Sequence, residues 1–237
     1  MKDIISAGLT QLGLADRVPD NAALALAEYG RLLLEKNQVM NLTAIREEDK
    51  VARLHMLDCA ALLNVADFAG KTLIDVGTGA GFPGLPLKIL CPSLSVTLLD
   101  SLGKRVNWLG EVADRLGLEQ ITAIHARAEE QALSKGFRDS FDFATARAVA
   151  DLRLLCELCL PYVKVGGAFL AMKSVDSTDE LEHAAHCIKL LGGRVEDCRD
   201  YTIPGTDIVH RVVVIRKVAP TLKGYPRKWA KIQKEPL

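Results

Sequence analysis

The residues best suited to chemistry lie at positions 75–84, Asp-Val-Gly-Thr-Gly-Ala-Gly-Phe-Pro-Gly, directly after the apolar Leu73 and Ile74. The apolar residues predict the buried end of a β-strand. Glycines at alternate positions predict a turn without side chains, on which a ligand can rest. Pro83 and Pro86 favour a helix start just beyond, because the first-turn amides of a helix have no intrahelical partner. The stretch therefore predicts a strand, a bare cofactor loop and a helix.

Three interpretations of this glycine loop are open. Residues 79–84 match the dinucleotide fingerprint, with Asp100 at the spacing of a ribose contact, which is typical of a nicotinamide-dependent oxidoreductase. Asp75 instead suits a cationic ligand such as S-adenosylmethionine lying on the bare Gly77 and Gly79, whereas it would repel a pyrophosphate. A turn that binds nothing is disfavoured, since glycines destabilise a chain unless a ligand or tight packing needs them. We favour S-adenosylmethionine.

Further candidates follow the next two strands. Asp100 ends Val-Thr-Leu-Leu-Asp, where a carboxylate can accept hydrogen bonds from both ribose hydroxyls or act as a helix N-terminal acid. Ala128 and Glu129 follow the third strand, where an adenine ring is expected, although Ala-Glu-Glu is also a typical helix start. These residues predict the adenosine side of the cofactor site.

Two cations follow the fourth and fifth strands. Arg147 can hold a phosphate or the oxygen edge of a guanine, or it can simply pair with Asp151 one turn on. Lys173 is expected to face the same crevice. Together they predict a positively charged surface for an anionic substrate, with Arg147 and Lys173 as the candidate catalytic residues.

These candidates all fall at the ends of predicted strands. From residue 71, apolar strands alternate with amphipathic helices, which predicts an α/β fold with a parallel sheet covered on both faces. Ligands in such sheets bind beyond the carboxyl ends of the strands. A turn over 201–205 predicts a hairpin-like finish. The predicted strands are 72–76, 96–100, 121–125, 141–145, 167–173 and 210–218, and the predicted helices between them are 84–90, 104–116 and 149–160.

The segment 1–70 predicts a helical extension ahead of the core at 71–219, with a second helical run over 47–68. Arg53, His55 and Asp58 fall near one face of that run, just after the polar break that contains Thr43. The favoured interpretation is a capping turn followed by a solvated stripe. The alternative is a lid over the cofactor or a rim for the substrate.

The third segment, 220–237, is a basic tail. From residue 216 onward, seven lysines and arginines stand against one acid, with Tyr225 and Trp229 among them. Aromatic residues between cations predict phosphate binding and stacking on an unpaired base. A solvated, disordered end is the alternative.

Composition limits the classes of function. The 237 residues are 49% hydrophobic and carry 30 basic and 30 acidic side chains, so any attraction to nucleic acid must be local. Six scattered cysteines, without a signal peptide or a membrane-length apolar stretch, predict a reduced, cytoplasmic protein. Cys156 and Cys159 lie in a helical apolar run and are expected to be core thiols, so we predict no metal.

The chain resembles the bacterial RsmG family, also called glucose-inhibited division protein B, from about residue 30 to the tail. The likeness is carried by the motif at 75–84, Leu-Leu-Asp-Ser-Leu-Gly-Lys-Arg-Val at 98–106, Ala-Arg-Ala-Val-Ala at 146–150, Asn-Leu-Thr at 41–43 and Tyr-Pro-Arg-Lys at 225–228. The resemblance implies a class I S-adenosylmethionine-dependent methyltransferase with a Rossmann-like, mostly parallel seven-stranded sheet. It implies methyl transfer to N7 of a guanine in 16S ribosomal RNA of the small ribosomal subunit.

The resemblance also implies roles for particular residues. Gly77 and Phe82 match loop contacts to the cofactor, Ala128 and Glu129 match the adenine-side contact, and Arg147 matches the residue near the methionine end and the target base. We expect a monomer whose partner is the small subunit.

Guanine N7 already presents an in-plane lone pair, so the predicted reaction needs no general base. Its rate would come from positioning and from the management of charge. A non-catalytic module that senses the cofactor or docks on RNA remains the alternative from another functional class.

Overall fold

A seven-stranded sheet forms the centre of the protein in the computed structural model, which describes residues 1–147, 151–175 and 178–237. Its strands are β1 (Thr72–Val76), β2 (Ser95–Asp100), β3 (Ile121–His125), β4 (Phe141–Arg147), β5 (Val163–Ser174), β6 (Gly193–Thr202) and β7 (Val209–Lys217). Their order across the sheet is β3-β2-β1-β4-β5-β7-β6.

Strands β1 to β5 pair in parallel, whereas β7 runs antiparallel to both β5 and β6. This arrangement confirms the predicted mostly parallel, seven-stranded α/β fold and its final hairpin. The register sets Asp75 of β1 opposite Leu98 of β2 on one side and Thr145 of β4 on the other. The carboxyl ends of these strands therefore meet at one edge of the sheet.

Some of the strand bounds differ from the predicted ones. The strands predicted at 72–76 and 121–125 have the observed bounds, while β4 and β5 extend beyond 141–145 and 167–173. Strand β6 was missing from the predicted set. It is the outer strand of the hairpin and is mostly exposed, so it lacks the apolar run that indicates a strand.

Helices cover both faces of the sheet. The helices are α1 (Lys2–Gln11), α2 (Ala22–Met40), α3 (Glu48–Val51), α4 (Asp58–Ala60), α5 (Gly84–Leu90), α6 (Gly103–Arg115), α7 (Ala128–Gln131), α8 (Leu152–Cys159), α9 (Thr178–Leu190) and α10 (Trp229–Lys234). The helix predicted over 149–160 corresponds to α8, and positions 148–150 of the Ala-Arg-Ala-Val-Ala motif lie outside the described residues. Within the described part of the chain, no helix combines the length and apolar character that crossing a bilayer requires.

The helical run predicted over 47–68 is not one regular helix. A π-helical turn, Ala52–Leu57, separates α3 from α4, and a 3₁₀ turn, Ala61–Asn64, follows. Turns of the π type are frequent at functional sites, because the wider turn changes the direction of its side chains. This one contains His55.

A buried core lies on each face of the sheet. On one face, Tyr29 and Leu33 of α2 share a cluster with Leu85 of α5 and Trp108 of α6. The N-terminal helices thus pack into the same core as the sheet. The other face holds α8, whose cysteines at 156 and 159 are fully buried, as expected of core thiols.

Candidate active site

Three adjoining cavities lie at the carboxyl edge of the sheet. We call them the β3 cavity, of about 190 Å³, the loop cavity, of about 460 Å³, and the β5 cavity, of about 700 Å³. Gly77 and Asp100 line both the β3 and the loop cavity. His55 and Arg147 line both the loop and the β5 cavity. The three cavities therefore form a row with the loop cavity in the middle.

The glycine loop forms a bare wall of this row. Gly77 and Gly79 have φ angles of 68° and 60°, in the left-handed region that glycine favours. A Cβ atom at Gly79 would meet nothing closer than a backbone oxygen at 3.9 Å, so its open side faces free space. Tyr29 of α2 donates its hydroxyl hydrogen bond to the carbonyl oxygen of Ala80 and fixes the loop from behind.

Asp75 does not occupy the place expected of it. Its carboxylate is fully buried beneath the loop and is absent from the walls of all three cavities. It accepts hydrogen bonds from the Thr78 hydroxyl at 2.6 Å and from the Gly84 amide at 2.9 Å. Burial raises the pKa of Asp75 to about 6, although these hydrogen bonds act in the opposite direction. Asp75 therefore holds the loop to the start of α5 instead of contacting a ligand directly.

Several amide groups of the loop donate hydrogen bonds within the protein. Gly77 and Thr78 donate to the Leu99 carbonyl oxygen, and Gly79 donates to Asp100 Oδ2 at 2.9 Å. Asp100 Oδ1 accepts from the Leu102 amide, just ahead of α6. Asp100 thus acts as a helix-start acid and also lines two cavities, and its contact with a ribose stays a prediction.

The β3 cavity brings together the predicted adenine-side residues. Ala128 and Glu129 begin α7 and line this cavity with Asp100. The Glu129 carboxylate is buried and pairs with Arg127 Nε at 3.1 Å. Trp229 of the C-terminal tail, which was not predicted here, also lines the cavity.

Arg147 lies at the boundary of the loop and β5 cavities within a cluster of polar side chains. Its guanidinium donates to Asp58 Oδ2 at 3.2 Å and lies 4.6 Å from the centre of the Phe82 ring. Asp58 also accepts from the Tyr201 hydroxyl at 2.7 Å and contacts His210 Nδ1 at 2.8 Å. Asp151, the alternative partner for Arg147, pairs with Arg153 instead.

The hydrogen bond between Asp58 and His210 depends on the protonation of both side chains. Burial alone would raise the pKa of Asp58, but the hydrogen bond from His210 and the charge of Arg147 hold that pKa below its usual value. The hydrogen bond to Asp58 raises the pKa of His210 above its ordinary value. A negative Asp58 between Arg147 and His210 is therefore the stable arrangement.

His55 is buried and neutral at physiological pH. Burial and the neighbouring Arg147 lower the pKa of His55 to about 4. His55 Nδ1 lies 3.1 Å from both Arg147 Nη2 and the Leu54 carbonyl oxygen, and Nε2 lies 2.8 Å from the Thr43 hydroxyl. Both ring nitrogens therefore have polar partners. The ring also stacks on Phe82, 4.5 Å between centres. The favoured prediction of a solvated stripe is wrong for His55 and Asp58, because both are buried at the site.

Lys173 lines the β5 cavity together with Arg147, as predicted. Its ammonium group pairs with Glu180 of α9 at 2.7 Å. Since Arg147 pairs with Asp58 in the same way, the two cations do not form the purely positive surface that was expected. The cavity combines cations with their counterions.

Among the residues of this row that the sequence did not predict there are Thr43, His210 and Trp229. Thr43 and His210 act through partners 12 and 152 positions away in the chain, a relation that no local pattern encodes. Trp229 was noted as an aromatic residue among cations, but its place at the β3 cavity depends on how the tail folds back.

The fold and the row of cavities at the strand ends define a class of protein. The solved structure of TYW2 from M. jannaschii in complex with AdoMet superposes with a TM-score of 0.52, at 15% identity, over 67% of this chain and 72% of that chain. This likeness is one of fold, and the fold is that of the class I methyltransferases.

The particular family follows from sequence. The model of the GidB family, described as rRNA small subunit methyltransferase G, matches residues 23–204. Ribosomal RNA small subunit methyltransferase G of Lachnoclostridium phytofermentans is 50% identical over 210 residues, covering 88% of this chain and 87% of the relative. The protein of that name from Alkaliphilus metalliredigens is 44% identical over 237 residues, covering 100% and 98%. The chain belongs to the rRNA small subunit methyltransferase G family and is a methyltransferase.

Proposed function

We propose that the protein transfers the methyl group of S-adenosylmethionine to N7 of a guanine in 16S ribosomal RNA. One observation carries the proposal: in a member of this family, a bare glycine loop lies between a cavity suited to a nucleoside and a cavity lined by Arg147 and Lys173. Such a row has room for the methyl donor and for the base that accepts the methyl group, side by side.

The residues present fit the cofactor. Ala128 and Glu129 would hold the adenine, Asp100 the ribose, and the open backbone of Gly77 and Gly79 the methionine part. When bound, S-adenosylmethionine supplies a methyl group on a positively charged sulfur. Asp100 on the cavity wall and Asp75 beneath the loop favour a positively charged group in the loop cavity.

The same contacts disfavour a dinucleotide. A pyrophosphate needs free amides at a glycine loop and a helix N-terminus. Here the Gly79 amide donates to Asp100 and the Gly84 amide, at the start of α5, donates to Asp75. Both amides are engaged by carboxylates, which would also repel the phosphates. The nicotinamide-dependent alternative therefore has no support from the geometry.

The β5 cavity suits the target base. Arginine is well matched to the oxygen edge of guanine, and Arg147 lies where the loop and β5 cavities meet. Both ring nitrogens of His55 are already engaged, by Arg147 and by Thr43, so His55 has no free nitrogen to act as a general base. Attack by a lone pair requires none. We assign Arg147 and Lys173 to the orientation of the base and its flanking phosphates.

The first test is methyl transfer from radiolabelled S-adenosylmethionine into purified small subunits, followed by nucleoside analysis. We expect label in 7-methylguanosine. Label in another nucleoside would contradict the proposed position of methylation. No label, with cofactor binding intact, would favour a non-catalytic binding module. In a thermal-shift assay, S-adenosylhomocysteine should stabilise the protein and NAD should not.

The second test concerns Arg147. Arg147→Ala should lower transfer about 100-fold, because one preoriented donor at a reacting group is removed. Binding of S-adenosylhomocysteine should remain within about threefold, since the adenosine contacts lie elsewhere. Arg199→Ala, which removes a half-exposed cation far from the cavities, is the matched control and should leave transfer unchanged. Equal transfer by both variants would remove Arg147 from the site.

A further inference from the structure

The basic C-terminal tail is folded back against the sheet domain. Arg138 donates to the carbonyl oxygens of Thr221, Leu222 and Tyr225 at 2.7 to 3.1 Å. The buried Lys217 ammonium donates to the Thr221 hydroxyl at 2.6 Å. Carbonyls held in this way fix the path of the backbone over residues 221–225. The tail therefore leaves β7 in a set direction.

A buried ion pair fixes the next part of the tail. Glu157 of α8 is 1% exposed, and its carboxylate accepts from the backbone amide, Nε and Nη2 of Arg227 at 2.6 to 2.8 Å. Ile232 of α10 is fully buried in the core beneath α8. Trp229 lies between these two anchors. The alternative of a solvated, disordered end is therefore wrong, whereas binding of phosphates and stacking on an unpaired base stay a prediction.

Docking places Trp229 at the β3 cavity. Its side chain is half-buried and lines the cavity together with Asp100, Ala128 and Glu129. The Arg127 guanidinium lies 5.4 Å from the centre of the indole ring and limits its movement. An aromatic ring thus completes the wall of the cavity that would receive the adenine.

We propose that Trp229 is a cofactor-binding residue that packs against the adenine, and that the tail is an element of the cofactor site. The inference rests on the proposed function, since it assigns the β3 cavity to adenosine. Aromatic side chains stack on nucleobases with a gain of about tenfold or more in affinity. The Arg227–Glu157 pair positions Trp229 for this contact.

Calorimetry with S-adenosylhomocysteine tests the inference on the full-length protein. Trp229→Ala should weaken binding about tenfold, and Trp229→Phe, which keeps an aromatic ring, should stay within about threefold of the wild type. Leu222→Ala changes an exposed side chain of the same tail and is the matched control. It should leave the affinity unchanged.

Fluorescence gives a second readout, because the chain has two tryptophans and Trp108 lies in the core against Tyr29. Addition of S-adenosylhomocysteine should change the emission of the wild type, and Trp229→Phe should lose that change while it still binds.

Wild-type affinity in Trp229→Ala would overturn the inference. The inference would also be overturned if Trp229→Ala raised the KM for the small subunit and left the KM for S-adenosylmethionine unchanged. That is the outcome expected if the tail binds RNA. If the wild type itself binds no S-adenosylhomocysteine, the proposed function fails and this inference fails with it. If the wild type and Trp229→Ala bind S-adenosylhomocysteine equally well, this inference is wrong and the proposed function is unaffected.

Discussion

At the scale of single residues, Asp58 connects distant parts of the chain. Its carboxylate is 1% exposed and contacts Arg147 of β4, Tyr201 of β6 and His210 of β7. A buried carboxylate is costly unless each oxygen is paired. Asp58 therefore fixes the N-terminal helices against three strands and orients Arg147 at the same time.

The contact between Asp58 and His210 predicts a dependence of stability on pH. Because folding raises the pKa of His210, its contribution to the free energy of unfolding is fully present below pH 6.5, the ordinary value. It is lost as the pH rises through the higher, folded-state pKa. The wild type should therefore exceed His210→Gln in stability by more at pH 6 than at pH 9.

Urea denaturation of both proteins at the two pH values measures this difference. The groups around His210, namely Asp58, Arg147 and Tyr201, are present in both proteins, so the comparison isolates the histidine. A constant difference between pH 6 and pH 9 would show that His210 does not titrate against Asp58.

The glycine loop gives a second prediction at this scale. Gly77→Asp places a side chain and a second carboxylate, beside Asp100, at the wall shared by two cavities, and it should abolish binding of S-adenosylhomocysteine in calorimetry. Gly70→Asp is the matched control, because Gly70 has a similar φ of 66° and open space around it. Both should lose about 1 kcal/mol of stability from the left-handed backbone. Retained binding in Gly77→Asp would contradict the cofactor placement.

Sequence reasoning found the cavity-lining residues that follow a strand, but not those that depend on distant partners. The residues Gly77, Asp100 and Arg147 follow apolar runs, and a parallel sheet brings such positions to one edge. His55 and Asp58 precede the sheet, and their partner Arg147 is about 90 positions away. The local sequence pattern therefore predicted that His55 and Asp58 are exposed to solvent, although both are buried in the folded protein.

At the scale of elements, the buried strands were predicted well because each one is a short apolar run between turns. Strand β6 lacks that run, and the tail lacks any period at all. The position of α10 depends on the contact between Arg227 and Glu157, which lies 70 residues earlier. In the sequence Glu157 is a single acidic residue within an apolar helix, and nothing around it indicates a partner in the tail. Tail docking is thus a tertiary property.

Docking of the tail predicts a large cost when the ion pair is broken. Arg227→Ala leaves Glu157 buried without its cation and should lower the free energy of unfolding by about 3 kcal/mol. Arg31→Ala, which breaks an exposed pair with Glu28 on α2, should change it by less than about 1 kcal/mol. Urea denaturation compares the two. Equal costs would mean that the tail contributes little to the folded state.

At the scale of the whole molecule, the helices of segment 1–70, which the sequence predicted as an extension ahead of the sheet, share a buried core with the sheet. Leu33 of α2 is fully buried in the cluster that also contains Leu85 and Trp108. Elements that share a core unfold together, whereas separate domains show separate transitions. The protein should therefore unfold in one cooperative step.

Leu33→Ala tests this cooperativity, because it leaves a cavity between α2 and the shared core. It should lower the free energy of unfolding by about 3 kcal/mol. Val39→Ala on the same helix is the control, since Val39 is 81% exposed and its loss should cost less than about 0.5 kcal/mol. Tryptophan fluorescence reports on Trp108 of α6 and Trp229 of α10, which both cover the sheet, and far-UV circular dichroism reports on the whole chain. In Leu33→Ala both transitions should shift to lower urea by the same amount, because the helix and the sheet stabilise each other through one core. A shift in circular dichroism without a shift in fluorescence would instead establish the N-terminal helices as an independently folding unit.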